Sequence, residues 1–130
     1  MNNLIVFSEL HQYFSNFDMR LTIAEKNLII GYKPFSYAGM QPKFATLHGS
    51  KNYQCLILHV APGDKETDLG EQLQQQIQEQ LAFDIAKLRK FKLKNNELYI
   101  PLEVVDTKEK MNILKEFILQ CFEARKKNGG

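Results

Sequence analysis

Apolar residues near the start of the chain recur with helical spacing. Leu10, Phe14 and Phe17 stand at i, i+4 and i+7, with Tyr13 beside them, and this spacing places side chains on one face of a helix. The pattern predicts an amphipathic helix over residues 4–16, with Ser8 or Asn3 as its N-cap.

Residues 21–60 carry patterns of extended chain. Residues 21–23 fit a short strand or another helical turn, and LIIGYK at 28–33 is rich in β-branched and aromatic residues and ends before Pro34, which predicts a strand. KFATLHG at 43–49 and NYQCLILHV at 52–60 are joined by a short glycine-containing connection, which predicts an antiparallel hairpin. Both faces of the second run are apolar, so we expect it in the middle of the sheet.

The middle of the chain predicts a second helix that stops near Phe83. Apolar residues recur at every fourth position between two turn-like segments, and Asp68 or Thr67 is the candidate cap. The remaining positions are mostly Gln, which we interpret as a solvated helix face rather than a coiled coil. The stripe consists of Leu69, Leu73, Ile77 and Leu81.

A basic run precedes the last predicted strand. Lys90, Lys92 and Lys94 alternate with Phe91 and Leu93, so a strand here would present its lysines on one face. Asn95-Asn96 is a plausible tight turn. ELYIPL at 97–102 continues as the partner strand, with its leucines and isoleucine on one face.

The C-terminal segment predicts the longest helix. Asp106 with Glu109 three residues later resembles a capping box, and Arg125 to Lys127 fall in the last turn before Gly129, where positive charge complements the helix dipole. The wide apolar stripe consists of Met111, Leu114, Phe117, Ile118, Cys121 and Phe122.

Together these patterns predict an α+β fold in one compact domain over residues 1–130, with frayed ends at 1–3 and 126–130. We expect a mainly antiparallel sheet of about five strands, with an N-terminal, a middle and a C-terminal helix packed on it. No apolar run approaches the roughly 18 residues of a membrane helix, and no signal peptide is evident. A cytoplasmic location is therefore expected.

The net charge of +2 conceals an asymmetry. Residues 1–86 hold 6 basic and 9 acidic residues, whereas residues 87–130 hold 11 basic and 6 acidic. A basic surface of this kind can attract nucleic acid, with Phe91 and Tyr99 as candidate stacking residues. The alternative is the solvated face of a half-buried strand. The candidate nucleic-acid-binding residues are Lys87, Arg89, Lys90, Lys92 and Lys94.

Candidate chemistry is sparse. Cys55 and Cys121 lie in apolar surroundings, which indicates buried thiols. Cys55 and His59 would lie roughly 13 Å apart on a strand, too far to share one metal ion, and no catalytic motif is present. We therefore assign no catalytic residue, no metal ligand and no cofactor, and favour a binding or interaction module without covalent chemistry, with metal carriage as one form of it.

Polar tips on strand positions suggest a ligand pocket between the sheet and the helices. The candidate ligand-binding residues are Tyr32, Tyr53, His59 and Tyr99; the alternative is that they are core tyrosines whose hydroxyls are hydrogen-bonded internally. The expected partner is a small molecule or a protein, and a homodimer is possible.

Two segments carry a family resemblance. GYKPFSY at 31–37 and LYIPL at 98–102, followed by the last helix, resemble the small bacterial α+β proteins of the YdhG-like superfamily. These proteins are described as frataxin-like or iron-chaperone-like and are similar to the MmcQ/YjbR group. For some members the resemblance implies iron delivery. This chain has no dense acidic ridge, since Glu66, Asp68 and Glu71 are its best acidic cluster, and no iron ligand is carried over.

Overall fold

The structure is a computed structural model that describes residues 1–34, 43–50, 53–61, 67–88 and 96–129, without the side chains of residues 27, 53 and 126–129. The helices and strands run in the order α1 (Asn3–Phe14), β1 (Met19–Ala24), β2 (Ile29–Pro34), β3 (Ala45–Ser50), β4 (Tyr53–His59), α2 (Leu69–Leu81), α3 (Ile85–Leu88), β5 (Glu97–Pro101) and α4 (Lys108–Gly129). Short 3-10 turns at Glu25–Asn27 and Leu102–Val104 precede β2 and α4.

The five strands form one antiparallel sheet in the order β1-β2-β3-β4-β5. Each strand pairs with its neighbour in sequence, so β1 and β5 form the two edges of the sheet within the described residues. The predicted α+β class, with N-terminal, middle and C-terminal helices, is confirmed. Residues 21–23 belong to a strand rather than to a further helical turn, because they pair in register with β2.

Side chains alternate between two faces of this sheet. We call one the core face. There Ile30, Leu47, Leu56 and Ile100 are aligned across four strands by the register and are buried. We call the other the second face. Its central row is Thr22, Gly31, Thr46, Ile57 and Tyr99.

The helices α1 and α4 pack on the core face through their apolar stripes. Val6, Leu10 and Phe14 of α1 are buried there, and the whole predicted stripe of α4, from Met111 to Phe122, is buried as well. The caps differ from those expected. The Asn2 side chain accepts a hydrogen bond from Ile5 N, and Thr107 Oγ1 accepts one from Lys110 N, because each lies directly before the first helical turn.

A short segment after α2 crosses to the second face. Ile85 of α3 packs with Cys55 and Tyr99, and Phe83 and Ile57 lie against this cluster. The second face is therefore covered over part of β4 and β5. The predicted strand at 90–94 and Asn95 of the predicted turn lie outside the described residues.

Among the described residues, β5 is an edge strand, and a side chain pairs with its backbone there. Gln74 of α2 is 2% exposed; its Nε2 donates to Tyr99 O at 2.9 Å, and its Oε1 accepts from Tyr99 N at 2.6 Å. The carboxamide directs one of its two N–H donors and its carbonyl acceptor at Tyr99, as the backbone of a neighbouring strand would. The prediction of a solvated glutamine face on α2 was wrong at this position, because Gln74 is buried and pairs with the backbone of β5.

We predict that Gln74→Ala lowers the free energy of unfolding by about 2 to 5 kcal/mol, because it strips the Gln74 partners from one buried donor and one buried acceptor. Gln74→Glu should lower the free energy of unfolding further than Gln74→Ala at neutral pH, since a carboxylate accepts a hydrogen bond from Tyr99 N but has no proton to donate to Tyr99 O. Urea denaturation of both variants measures these losses. Gln75→Ala, an exposed position on the same helix, is the matched control.

The pH dependence of stability distinguishes the loss of the paired hydrogen bonds from a loss of side-chain packing at position 74. Protonation of the carboxyl at position 74 restores a donor, so the difference in stability between Gln74→Glu and Gln74→Ala should shrink as the pH falls toward 4. A difference that stays constant with pH would contradict the paired hydrogen bond as the source of the effect.

Candidate functional site

A cleft opens between α2 and α4 at the end of β4. Its volume is about 220 Å³. Leu69 and Leu73 of α2, one helical turn apart, form one wall, and Phe117 and Cys121 of α4 form the other. Val60, which directly follows β4, closes the inner end. Ala124, Arg125, Gln76 and Gln120 complete the lining.

Arg125 places a positive charge at the cleft. Its guanidinium Nη1 donates to Lys43 O at 2.7 Å and to His59 O at 3.1 Å, and its Cζ lies 5.8 Å from the centre of the Phe44 ring. Burial lowers the pKa of Arg125 to about 10, so the side chain stays protonated at neutral pH. The sequence assigned Arg125 to the dipole of α4; the structure places its guanidinium against the ends of two strands.

Cys121 lines the same cleft as an uncharged thiol. Burial raises the pKa of Cys121 to about 12, and the thiolate is the nucleophilic form of cysteine. Both cysteines are buried free thiols, as predicted. Cys121 therefore contributes apolar surface to the cleft and no nucleophile at neutral pH.

The second face holds a chain of three polar side chains. His59 Nε2 lies 2.9 Å from Thr46 Oγ1, and His59 Nδ1 lies 3.3 Å from Glu97 Oε1. The register explains this arrangement, since His59 is paired with Glu97 and lies beside the Thr46–Ile57 pair. The Glu97 carboxylate accepts a hydrogen bond from Nδ1–H, which leaves Nε2 to accept a hydrogen bond from the Thr46 hydroxyl.

The three side chains Thr46, His59 and Glu97 have the order of a hydroxyl–imidazole–carboxylate relay. However, Thr46 is only 6% exposed. Burial is the main cause of a lowered His59 pKa; Glu97 opposes the shift, and Arg125 and Lys43 reinforce it. A neutral imidazole with both nitrogens engaged holds β3, β4 and β5 together. We therefore interpret the chain as a structural tie across the second face.

The residues predicted to line a ligand pocket do not share one site. Tyr32 lies on the core face, where its hydroxyl is 2.8 Å from His11 Nδ1 and its ring stacks on Phe14. Burial raises the Tyr32 pKa. His59 and Tyr99 belong to the second face, so the expected pocket around all of them is wrong in geometry. The Tyr53 side chain lies outside the described residues.

Basic residues collect on the part of the second face formed by β1, β2 and the residues before β3. Arg20 is paired with Lys33, and the Lys43 side chain passes over Gly31, where a Cβ would lie 2.7 Å from Lys43 Cε. Of the predicted nucleic-acid-binding residues, only Lys87 is described, as an exposed residue of α3. Arg89, Lys90, Lys92 and Lys94 lie outside the described residues.

Within the described part of the chain, no group of three or more His, Cys, Asp or Glu side chains is arranged to hold a metal ion. His11 lies on α1 and approaches the core face, whereas His48 and His59 lie on strands. Asp68 and Glu71 stand at the start of α2, and Glu66 lies outside the described residues. Over the same described ranges, none of the helices has the length and apolar character to cross a bilayer.

The cleft was only half visible in the sequence. Leu69, Leu73, Phe117 and Cys121 were all assigned to apolar stripes, which fixes the faces that α2 and α4 turn inward. The sequence did not show that α2 and α4 leave a space between these stripes. Gln74 stands three and seven residues before the buried Ile77 and Leu81, and this helical spacing is the signal that could have identified Gln74 as an inward-facing residue, although it does not identify the partner of Gln74.

We predict that neutral His59 makes the fold sensitive to acid. The folded pKa of His59 lies below its unfolded value, so the unfolded chain takes up a proton first and stability falls as the pH drops below about 6.5, the ordinary value for histidine. Between pH 7.5 and pH 5.5, the free energy of unfolding should fall less for His59→Gln than for the wild type. Equal falls would contradict the assignment. Burial also lowers the pKa of His48. Because His48 is present in both proteins, its contribution to the pH dependence cancels in the comparison.

Comparison of the chain with protein-family models, with curated proteins and with solved structures gives no match.

Proposed function

We propose that this protein is a binding module whose ligand is a small molecule with one ring-sized apolar body and one carboxylate, held in the cleft between α2 and α4. The observation that carries the proposal is the combination of an apolar lining with a buried arginine and no acidic lining residue among the described residues. The proposal involves no covalent chemistry.

The dimensions support a ligand of this size. An apolar cavity of about 150 Å³ accommodates benzene, and the cleft is larger at about 220 Å³. Ligand sites in proteins are mostly apolar, with a few polar groups that fix orientation. Here the apolar walls come from Leu69, Leu73 and Phe117, and the amides of Gln76 and Gln120 stand at the exposed rim.

The charge supports an anionic head group. Arg125 is 7% exposed and retains its proton at neutral pH, and a buried cation attracts an anion more strongly than a solvated one does because the local dielectric is lower. The backbone carbonyls that Arg125 contacts are neutral. Arg125 lines the cleft, and its guanidinium is the group that we propose contacts the carboxylate of the ligand.

We expect phenylacetate to bind and its neutral analogue phenylacetamide to bind at least tenfold more weakly, because only the former carries the charge that complements Arg125. Titration of methyl-labelled protein by NMR measures both affinities and should shift the signals of Val60, Leu69 and Leu73. Ala124→Leu, which fills the cleft from its exposed rim, should weaken phenylacetate binding at least tenfold.

Ala86→Leu on α3 is the matched control, since it makes the same exposed helical substitution away from the cleft. It should leave both affinities unchanged. Absence of any shift at millimolar phenylacetate, or equal binding by the Ala124→Leu variant, would refute the proposed site. Equal binding of the two probes would retain the cleft and refute the carboxylate.

A second candidate function, nucleic-acid binding, is favoured by the charge on the second face. Arg20, Lys33 and Lys43 lie on or over the strands there. The helix α3 packs on the same face through Ile85 and carries Lys87, and the basic run at 89–94 follows it in the chain. A positive surface built in this way fits a phosphate backbone without base-specific contacts.

If this candidate is correct, a single-stranded oligonucleotide of about twelve nucleotides binds at low salt and loses affinity steeply as salt rises, by a slope of about 0.7 per neutralised phosphate. The Lys33→Gln/Lys43→Gln variant should bind at least fivefold more weakly, with a shallower slope. Fluorescence anisotropy measures both quantities.

Lys108→Gln is the control, because Lys108 is exposed at the start of α4 and away from the second face. Its affinity and slope should match those of the wild type. Binding that is independent of salt, or that Lys108→Gln weakens as much as the double variant does, would remove this candidate and leave the cleft proposal untouched.

A further inference from the structure

The edge strand β1 differs from β5 in having no partner on its outer side among the described residues. The only charged residue of β1 is Arg20, and the strand contains no proline. Natural edge strands are usually protected by charges, prolines, bulges or a covering element. The middle of β1 has none of these protections in the part of the chain that the structure describes.

Two apolar side chains mark this edge. Leu21 is 42% exposed and Ile23 is 57% exposed. Both point to the core face, since they are paired with Tyr32 and Ile30. They therefore lie on the same face as the buried core residues, but at an edge where that face is exposed to solvent.

The hydrogen-bonding direction of β1 follows from its neighbours. Leu28 O accepts from Gly49 N, and Tyr32 O accepts from Phe44 N, so the even-numbered residues of β2 face β3. Because backbone groups alternate in direction along a strand, the odd-numbered residues of β2 face β1. Their partners there are Arg20, Thr22 and Ala24, which leaves Met19, Leu21 and Ile23 directed outward.

We propose that β1 pairs antiparallel with β1 of a second copy of this chain, with Leu21 opposite Leu21 at the two-fold axis. In this register Met19 faces Ile23, so all three outward-directed residues exchange backbone hydrogen bonds, and every pair on the core face is apolar. Arg20 faces Thr22, which keeps the two arginines apart. The net charge of only +2 per chain adds little repulsion.

The consequence is a continuous sheet through both copies. A two-fold axis perpendicular to the sheet places the two second faces on the same side, so the Arg20–Lys33 pairs of both copies join one basic surface. This inference does not depend on either proposed ligand, because it uses only the edge of β1 and the side chains of Leu21 and Ile23.

The test uses the fact that position 21 faces itself. Sedimentation equilibrium from about 10 µM to 1 mM should show reversible dimers of the wild type, as expected for a small interface. Leu21→Lys and Leu21→Glu should each raise the dimer dissociation constant at least tenfold, because they place like charges opposite one another. An equimolar mixture of the two variants should restore dimers.

Position 23 supplies the control for register. Ile23→Lys mixed with Ile23→Glu should not restore dimers to the same extent, because residue 23 faces Met19 rather than itself. Unfolding curves establish that each variant is folded, and exposed edge positions tolerate charge. A monomeric wild type at about 1 mM, or dimers that neither Leu21 variant weakens, would overturn the proposal. Restoration by the position 23 mixture alone would overturn the register.

Discussion

The pairing of the Gln74 side chain with the backbone of Tyr99 fixes the position of α2, and much of the remaining structure depends on it. The amide supplies one donor and one acceptor to a strand edge that lies within the protein. Gln74 Nε2 also donates to Gln78 Oε1, and Gln78 Oε1 accepts from Ile85 N. The same network therefore links α2 to the start of α3.

Because α2 is held against β5, its distance from α4 is set by the sheet as well as by the packing of the two helices. The apolar stripe of α2 contributes buried residues such as Ile77 and Leu81 to the core, whereas Leu69 and Leu73 remain half-buried at its first turns. Because α2 is held by β5 through Gln74 and by the core through Ile77 and Leu81, it cannot pack along its whole length against α4. The cleft beside Arg125 is the space that remains.

The sequence predicted the elements well because each has its own periodicity. The apolar run NYQCLILHV, the helical spacing from Met111 to Phe122 and the alternation at 97–102 each identify an element. Caps were less predictable, since Asn2, Asn3 and Ser8 are all good capping residues and differ only in where the first turn begins. A helix or strand is indicated by a pattern repeated over many residues, whereas a cap depends on the single residue at which the helix begins.

Long-range polar contacts were beyond the sequence for a different reason. Gln74 and Tyr99 are 25 positions apart, and Arg125 reaches residues 66 and 82 positions away. Such pairs leave no periodic signal, because a single Gln or Arg on a helix looks the same whether it faces solvent or a strand end. The pocket expected around Tyr32, His59 and Tyr99 failed in the same way, since a strand position alone does not identify the face that a helix will cover.

The two edges of the sheet therefore have different capacities for association. At β5, Gln74 occupies the backbone groups of Tyr99 that an added strand would need, whereas the outward groups of β1 at Leu21 and Ile23 have no such cover among the described residues. If both edges were open, the β1 edge of one copy could pair with the β5 edge of the next, and a contact between two different surfaces can extend into a filament. With β5 occupied at Tyr99, the proposed pairing of β1 with β1 is the edge contact that the described residues leave open, and it is a contact between identical surfaces. Such a contact uses up both edges at once, so association by this route ends at two copies.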